Sequence, residues 1–278
     1  MKIGFTKMHG SGNDFVVIDN LEGGREIGPE QVVRLCHRRF GIGADGVLLL
    51  EEPGDTGLDA RMVYYNADGS RGEMCGNGAR CFTAFALSRG LGSGKELRFM
   101  TDAGALTAAV TNGRYTIQMR PPGDTKLDRT LELANGPATV HYTNTGVPHA
   151  VRFVDDIEAV DIRREGAELR YHAAFAPKGA NANFVEIRDD GTLLIRTYER
   201  GVEDETLACG TGVTAAGIVA HLIRGVPGPV QVNVRSGDTL TVDFTVKGQR
   251  EVENVLMTGP AATVFTGTIE LAGKVTTG

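Results

Sequence analysis

At 278 residues, with 41% hydrophobic and 23% charged side chains, the chain has a globular composition and enough length for one large domain or two ordinary ones, each with ample core. A formal net charge of −6 argues against nucleic acid or an anionic membrane surface as a partner. The opening Met1-Lys2-Ile3-Gly4-Phe5-Thr6-Lys7-Met8-His9 lacks the apolar core of a secretion signal and no apolar run reaches a membrane span, so a cytoplasmic enzyme or binding protein is expected.

The periodicity predicts a mixed α/β (α+β) chain. Phe15–Ile18 is a short apolar strand, followed by a helix from Pro29 to Arg39 with proline at a tolerated first-turn position and Val32, Val33, Leu35 and Cys36 on one stripe. Val47–Leu50 is a buried strand, and Leu58–Tyr64 alternates as a half-buried one. A glycine-rich turn around Cys75 opens an apolar helix that runs to Arg89-Gly90, and strands are expected near 96–101, 105–110 and 114–119, the last two joined by Asn112-Gly113. Arg120–Asp124 is a natural linker. Strands near 138–142 and 149–154, a polar helix near 157–170, and strands near 183–188 and 192–198 then lead to a second apolar helix after Cys209. Strands near 230–235, 239–245 and 252–257 follow, and Ala262–Leu271 is expected to return to the first half.

The two halves repeat. Cys75 and Cys209 lie 134 positions apart, and the same offset carries Leu106-Thr107 onto Leu240-Thr241. Tyr65-Asn66 falls near Tyr198-Glu199, His37 and Phe40 match His172 and Phe175, Gly43-Ala44-Asp45 matches Gly179-Ala180-Asn181, and Met119 matches Met257. Gly10 pairs with Gly146, which sets Asn13 opposite His149. Order and near-constant spacing point to a duplication.

The chemistry concentrates in Cys75-Gly76-Asn77-Gly78 and Cys209-Gly210-Thr211-Gly212. A cysteine at a helix N-terminus faces unpaired backbone N–H groups and the positive end of the dipole, both of which favour thiolate. The flanking Gly76, Gly78, Gly210 and Gly212 allow a ligand to approach the backbone closely, and the N–H groups suit a carboxylate. Two such cysteines suggest paired proton carriers. Cys36 and Cys81 sit on apolar helix faces and are expected in the core, while Asp14, Asp19, Asp68 and Glu73 read as turn or solvent charges. Four unevenly spaced cysteines make no disulfide framework, and six scattered histidines give no metal site. Gly41-Ile42-Gly43-Ala44-Asp45-Gly46 spells the dinucleotide pattern, but with a helix before it and a strand after it, the reverse of what that motif requires, so it is read as a turn.

Together, His9-Gly10-Ser11-Gly12-Asn13-Asp14-Phe15, Met74–Arg80, Tyr198-Glu199-Arg200-Gly201 and Ala208–Gly212 resemble diaminopimelate epimerase, and the likeness runs the length of the chain. The resemblance implies two pseudo-symmetric domains, each a β-sheet around a central helix: residues 1–120 with 262–278, and 121–261. It also implies conversion of LL- to meso-diaminopimelate without pyridoxal phosphate or any other cofactor, in an enzyme that is often a homodimer. Carried over by position, Cys75 and Cys209 correspond to the acid/base thiols, and Gly76-Asn77 and Gly210-Thr211 to the grip on the reacting carboxylate. Asn13, Asn66, Asn181 and Arg200 correspond to contacts with the distal end, and Glu199 and His149 to residues that support proton transfer and bind the reacting amine. Val147 stands where many members have asparagine, and Gly46 where some have glutamine. Racemisation of another amino acid, thiol redox exchange, and a catalytically dead binding module are the rival readings; a redox pair normally has Cys-x-x-Cys spacing, absent here.

Overall fold

A computed structural model describes residues 2–24, 26–54, 57–248 and 250–271, which form two units, Met1–Ile117 with Pro260–Gly278, and Gln118–Gly259. Each is a mixed sheet wrapped around one buried helix. In the first unit the elements are β1 (Lys2–Gly10), β2 (Asn13–Asp19), α1 (Pro29–Cys36), β3 (Gly46–Glu51), β4 (Ala60–Asn66), β5 (Arg71–Gly72), α2 (Gly76–Ser88), β6 (Glu96–Thr101), β7 (Gly104–Thr111) and β8 (Arg114–Gln118). The second unit contains β9 (Gly123–Leu133), β10 (Gly136–Asn144), β11 (Pro148–Phe153), α3 (Ile162–Tyr171), β12 (Asn181–Ile187), β13 (Leu193–Glu199), β14 (Asp204–Thr206), α4 (Gly210–Arg224), β15 (Val230–Asn233), β16 (Thr239–Lys247) and β17 (Glu251–Gly259). The last strand, β18 (Ala262–Glu270), pairs antiparallel with β1 in the first unit, while residues 272–278 of the expected returning segment lie outside the described residues.

The strand order of the first unit is β18-β1-β2-β3-β4-β6-β7-β8, antiparallel except for β2 with β3 and β4 with β6. The second unit reads β9-β10-β11-β12-β13-β15-β16-β17, with its parallel contacts at β11 with β12 and β13 with β15. The duplication inferred from sequence is therefore repeated in strand order and direction. The outer position that β9 fills by preceding β10 is filled in the first unit by β18, from the far end of the chain.

Both central helices are small and apolar on nearly every side, the pattern of a helix with no solvent face. Ala79, Cys81, Phe82, Phe85 and Ala86 of α2 are buried, and Phe82 packs on Phe99 of β6 with ring centroids 5.0 Å apart. In α4, Val213, Ala215, Ala216, Ile218, Val219 and Ala220 are buried. Burying each large side chain contributes about 1.5–3 kcal/mol, so the helix that carries each cysteine is firmly seated. The continuous apolar run of β3 follows from being covered on both faces, with Val47 and Leu49 joining Val32 and Leu35 of α1 in one cluster, and α2 also packing on the strand.

Three local expectations change. Helix α1 stops at Cys36 rather than Arg39, because Ile42 and Gly43 N–H groups turn back onto Leu35 O and Ala44 N–H onto Cys36 O. These bonds employ the Gly41–Gly46 turn as a helix C-terminal cap, and a Cβ at Gly41 would stand 1.9 Å from Arg34 O. The presumed linker at Arg120–Asp124 ends in strand, since Gly123 and Asp124 open β9, whose polar outer face hid its alternation. Strand β1 has no apolar alternation to announce it in the sequence, because Lys7, inward and ion-paired, interrupts the pattern. Among the described residues no helix is long and apolar enough to cross a membrane.

Candidate active site

In the first unit, Cys75 is the N-cap of α2: its backbone is extended, its C=O accepts from Ala79 N–H at 2.7 Å, and its sulfur accepts from Gly78 N–H at 3.5 Å. Asn13, at the start of β2, brings Oδ1 to 3.6 Å from Cys75 Sγ, and Asn77 Nδ2 donates to the same oxygen at 3.2 Å. Arg80, a fully buried guanidinium, donates to Asn77 Oδ1 at 2.9 Å, Ser11 Oγ at 3.3 Å and Pro260 O at 3.0 Å. Gly10 lets β1 lie against this first turn, since a Cβ there would meet Asn77 O at 2.8 Å.

Behind Asn13 runs an ionic network. Lys7, almost fully buried, donates to Asp14 Oδ2 at 2.7 Å and to Gly43 O; Arg38 grips both Asp14 oxygens and reaches Asp45 Oδ1 at 2.8 Å. Asp45 Oδ2 in turn accepts from Asn13 Nδ2 at 2.8 Å. Asp14 is thus a structural anion and not the solvent charge its sequence suggested. Burial pushes its pKa up, but hydrogen bonds and charges from Arg38 and Lys7 outweigh this and hold it at about 2, against an ordinary 3.8. A carboxyl lowered on folding adds stability that is complete above its unfolded pKa and lost as pH falls toward the folded value. Asp14→Asn is expected to cost roughly 2 kcal/mol at neutral pH. It should also flatten the wild-type decline in stability between about pH 4 and pH 2. Urea unfolding across that range measures both; an unchanged acid limb would refute the assignment.

In the second unit, Cys209 is the N-cap of α4, with Thr211 Oγ1 3.4 Å from its sulfur. Thr145 Oγ1 donates to Thr211 O at 2.9 Å and ties the preceding hairpin to this turn. His149, opposite Asn181 across β11 and β12, is fully buried. Asn183 Nδ2 lies 3.1 Å from His149 Nδ1 and also donates to Ala150 O at 2.9 Å, while Thr197 Oγ1 donates to Asn183 Oδ1 at 3.0 Å. Burial, reinforced by the positive charge of Arg200, pushes the His149 pKa down to about 3, so the ring is neutral at physiological pH. With Nδ1 accepting from Asn183, the ring proton resides on Nε2, a buried atom with no hydrogen-bond partner among the described residues. Asn181 Oδ1 accepts from Arg200 N–H at 2.7 Å, joining the ends of β12 and β13, and Glu199 closes β13.

Within the first unit, then, Asn13, Cys75, Gly76 and Asn77 are brought together; Asn66 is held separately, accepting from Tyr64 Oη at 2.6 Å and donating to Ser70 Oγ at 3.0 Å. Within the second, Cys209, Gly210 and Thr211 form one turn, and His149, Asn181 and Arg200 are linked through the adjoining strands. The Gly46 departure has a steric reason, as a Cβ there would lie 2.6 Å from Tyr65 O and 2.8 Å from the Tyr64 ring. Cys36 and Cys81 are buried, and burial pushes each thiol up to about 12, which suits the core role expected of them. Sequence reasoning missed Asp45, Arg80, Thr145 and Asn183. The Asn181-Ala182-Asn183 alternation was the available signal for the last, because residues two apart share a strand face.

The duplicated α/β fold, with one buried helix in each half, defines a structural class that comparisons with known proteins find again. A phenazine biosynthesis protein of the PhzF family from Bacillus anthracis superposes with a TM-score of 0.76 at 15% identity, covering 98% of this chain and all of that one. A hydroxyproline epimerase from Agrobacterium vitis does so at 0.69 with 18% identity, covering 99% and 94%; these likenesses speak for the fold alone. The family described as diaminopimelate epimerase matches residues 5–122 and 141–264. Diaminopimelate epimerases from Aquifex aeolicus and Chlorobaculum tepidum are each 43% identical, covering 95% of this chain and 96% and 100% of theirs. The chain belongs to the diaminopimelate epimerase family.

Proposed function

We propose that this protein is an isomerase that converts LL-2,6-diaminopimelate to the meso form without a cofactor, by a two-base mechanism serving lysine and peptidoglycan precursor synthesis. The observation that carries the reading is the pair of cysteines, each capping a buried helix in one of two units of equal strand order, in a chain of this family. The Cα proton of an amino acid is very weakly acidic, and its removal needs the carboxylate held against preorganised donors. Gly76-Asn77 and Gly210-Thr211 supply N–H groups at the two helix starts for that purpose. One cysteine, as thiolate, takes the Cα proton; the electron pair passes into the carboxylate; the other cysteine, as thiol, returns a proton to the opposite face. The sulfurs exchange protonation states, so the reverse reaction starts from the complementary form.

Asn13, Asn66, Asn181 and Arg200 hold the distal amino-acid end in this reading, and His149 and Glu199 support proton transfer at the reacting centre. A neutral His149 with its proton on Nε2 suits an amine lone pair or a carboxylate oxygen better than an ammonium. The functional domains are taken as residues 1–120 with 262–278, and 121–261, in a cytoplasmic homodimer; sedimentation as a monomer throughout the working concentration range would remove the last element. The central test is turnover of LL- and meso-diaminopimelate in D2O with no added cofactor. Deuterium should enter one Cα as the isomers interconvert, and exchange confined to a different amino acid would replace the assigned substrate.

A further inference from the structure

We propose that Asp45 is a positioning residue that acts through Asn13 on the proton of Cys75, holding the amide oxygen toward the sulfur so that it favours the Cys75 thiol over the thiolate. The inference rests on Cys75 being one of the two reacting thiols. A carboxamide can face either way, and its orientation must be deduced from partners that can play a single role. Asp45 is such a partner, because a carboxylate accepts and does not donate, and its Oδ2 lies 2.8 Å from the Asn13 amide nitrogen. Arg80 is another, because a guanidinium donates and does not accept, and its contact at 2.9 Å fixes the oxygen of Asn77. Asn77 must then present its nitrogen to Asn13 Oδ1, at 3.2 Å. Both constraints agree, and they leave the Asn13 oxygen 3.6 Å from Cys75 Sγ.

A carbonyl oxygen there accepts from S–H and opposes a thiolate. It works against the Gly78 N–H and the helix dipole, both of which favour the anion at the same sulfur. At Cys209 the corresponding neighbour is the Thr211 hydroxyl at 3.4 Å, which can rotate to donate to a thiolate. The two thiols therefore sit in unlike surroundings although their helices are equivalent. Among the described residues, the charged and titratable groups around this turn include Glu73, Arg80 and Cys81 (which interacts electrostatically with Cys75) along its own segment, Lys7, His9 and Asp14 on β1 and β2, and Arg38 and Asp45 in the turn. Arg38 holds Asp45 by its other oxygen, and the backbone N–H of Asp45 donates to Asp14 Oδ1 at 3.0 Å, which keeps this carboxylate in register with Asn13.

The test titrates Cys75 in a Cys209→Ser, Asn77→Ala background, which removes the parallel Arg80–Asn77 constraint on Asn13 and leaves Asp45 alone to orient it, through the pH dependence of iodoacetamide alkylation followed by peptide mass analysis. Asp45→Asn, which no longer dictates the Asn13 orientation, should shift the Cys75 titration downward by about one pH unit, a roughly tenfold gain in alkylation rate below the midpoint. Asn13→Ala, which removes the oxygen outright, should produce a similar shift by itself and serves if Asp45→Asn fails to fold. Once Asn13 is alanine, adding Asp45→Asn should change little, the signature of an effect relayed through one side chain. An unchanged titration in both single variants, or a full Asp45→Asn shift persisting beside Asn13→Ala, overturns the proposal. Deuterium exchange that survives Cys75→Ala would instead refute the underlying mechanism, and so marks the two failures apart.

Discussion

Cys75→Ala and Cys209→Ala are each expected to bring epimerisation to background, while Cys36→Ala and Cys81→Ala keep most of it. General acid or base catalysis by one group contributes about 10²–10⁴ in rate, and inversion requires both groups in the same turnover. The two single losses should therefore not add: the double variant should be no slower than either single one, as for groups that act as a unit. The controls separate this from generic thiol damage. Cys36 and Cys81 lie in the core with pKa values raised to about 12 by burial, so they hold no thiolate at working pH. Truncating the fully buried Cys81 should lower stability by about 1 kcal/mol through the small cavity left behind, without entering the rate. Isomer interconversion, followed together with a melting curve for each variant, reads both effects. Substantial turnover by either of the first two variants would dismantle the two-base scheme.

The sequence revealed the parts of the fold that depend on local pattern. Cys-Gly-x-Gly before an all-round apolar run located both central helices, and the near-constant offset between Cys75 and Cys209 revealed the duplication. It could not reveal which charges turn inward. Asp14 reads as a turn residue until Lys7 on the neighbouring strand and Arg38 from beyond α1 are folded against it, and Asp45 looks like the end of a glycine turn until its carboxylate meets Asn13. Asn183 has no unusual neighbours in sequence; its importance comes from four partners on three strands. Long-range polar pairing of this kind leaves no periodic trace, which explains why the cysteine-led helix starts were legible and the polar groups packed behind them were not.

The matched glycines show where equivalence between the halves ends, and Gly212→Ala should expose it. At Gly78 an added Cβ would meet Cys75 Cβ and Leu48 Cδ2 at 3.4 Å, ordinary contact distances. At Gly212 it would stand 2.5 Å from Asn183 Oδ1 and 3.4 Å from the Cys209 sulfur. Asn183 cannot yield, because its oxygen accepts from Thr197 and its nitrogen is committed to His149 and Ala150. The first turn of α4 must move instead, and Cys209 moves with it. Gly212→Ala is expected to cost about 1–3 kcal/mol of stability by overpacking. It should also lower kcat by about 10²-fold, since a displacement of an ångström at a reacting group has that effect. Gly78→Ala should retain most activity and hold its melting temperature, helped by the better helix propensity of alanine. Thermal unfolding and kcat for the two variants side by side decide the cause. Equal losses would mean that both glycines make room for substrate, whereas the unequal result assigns Gly212 to the packing that keeps Cys209 in place.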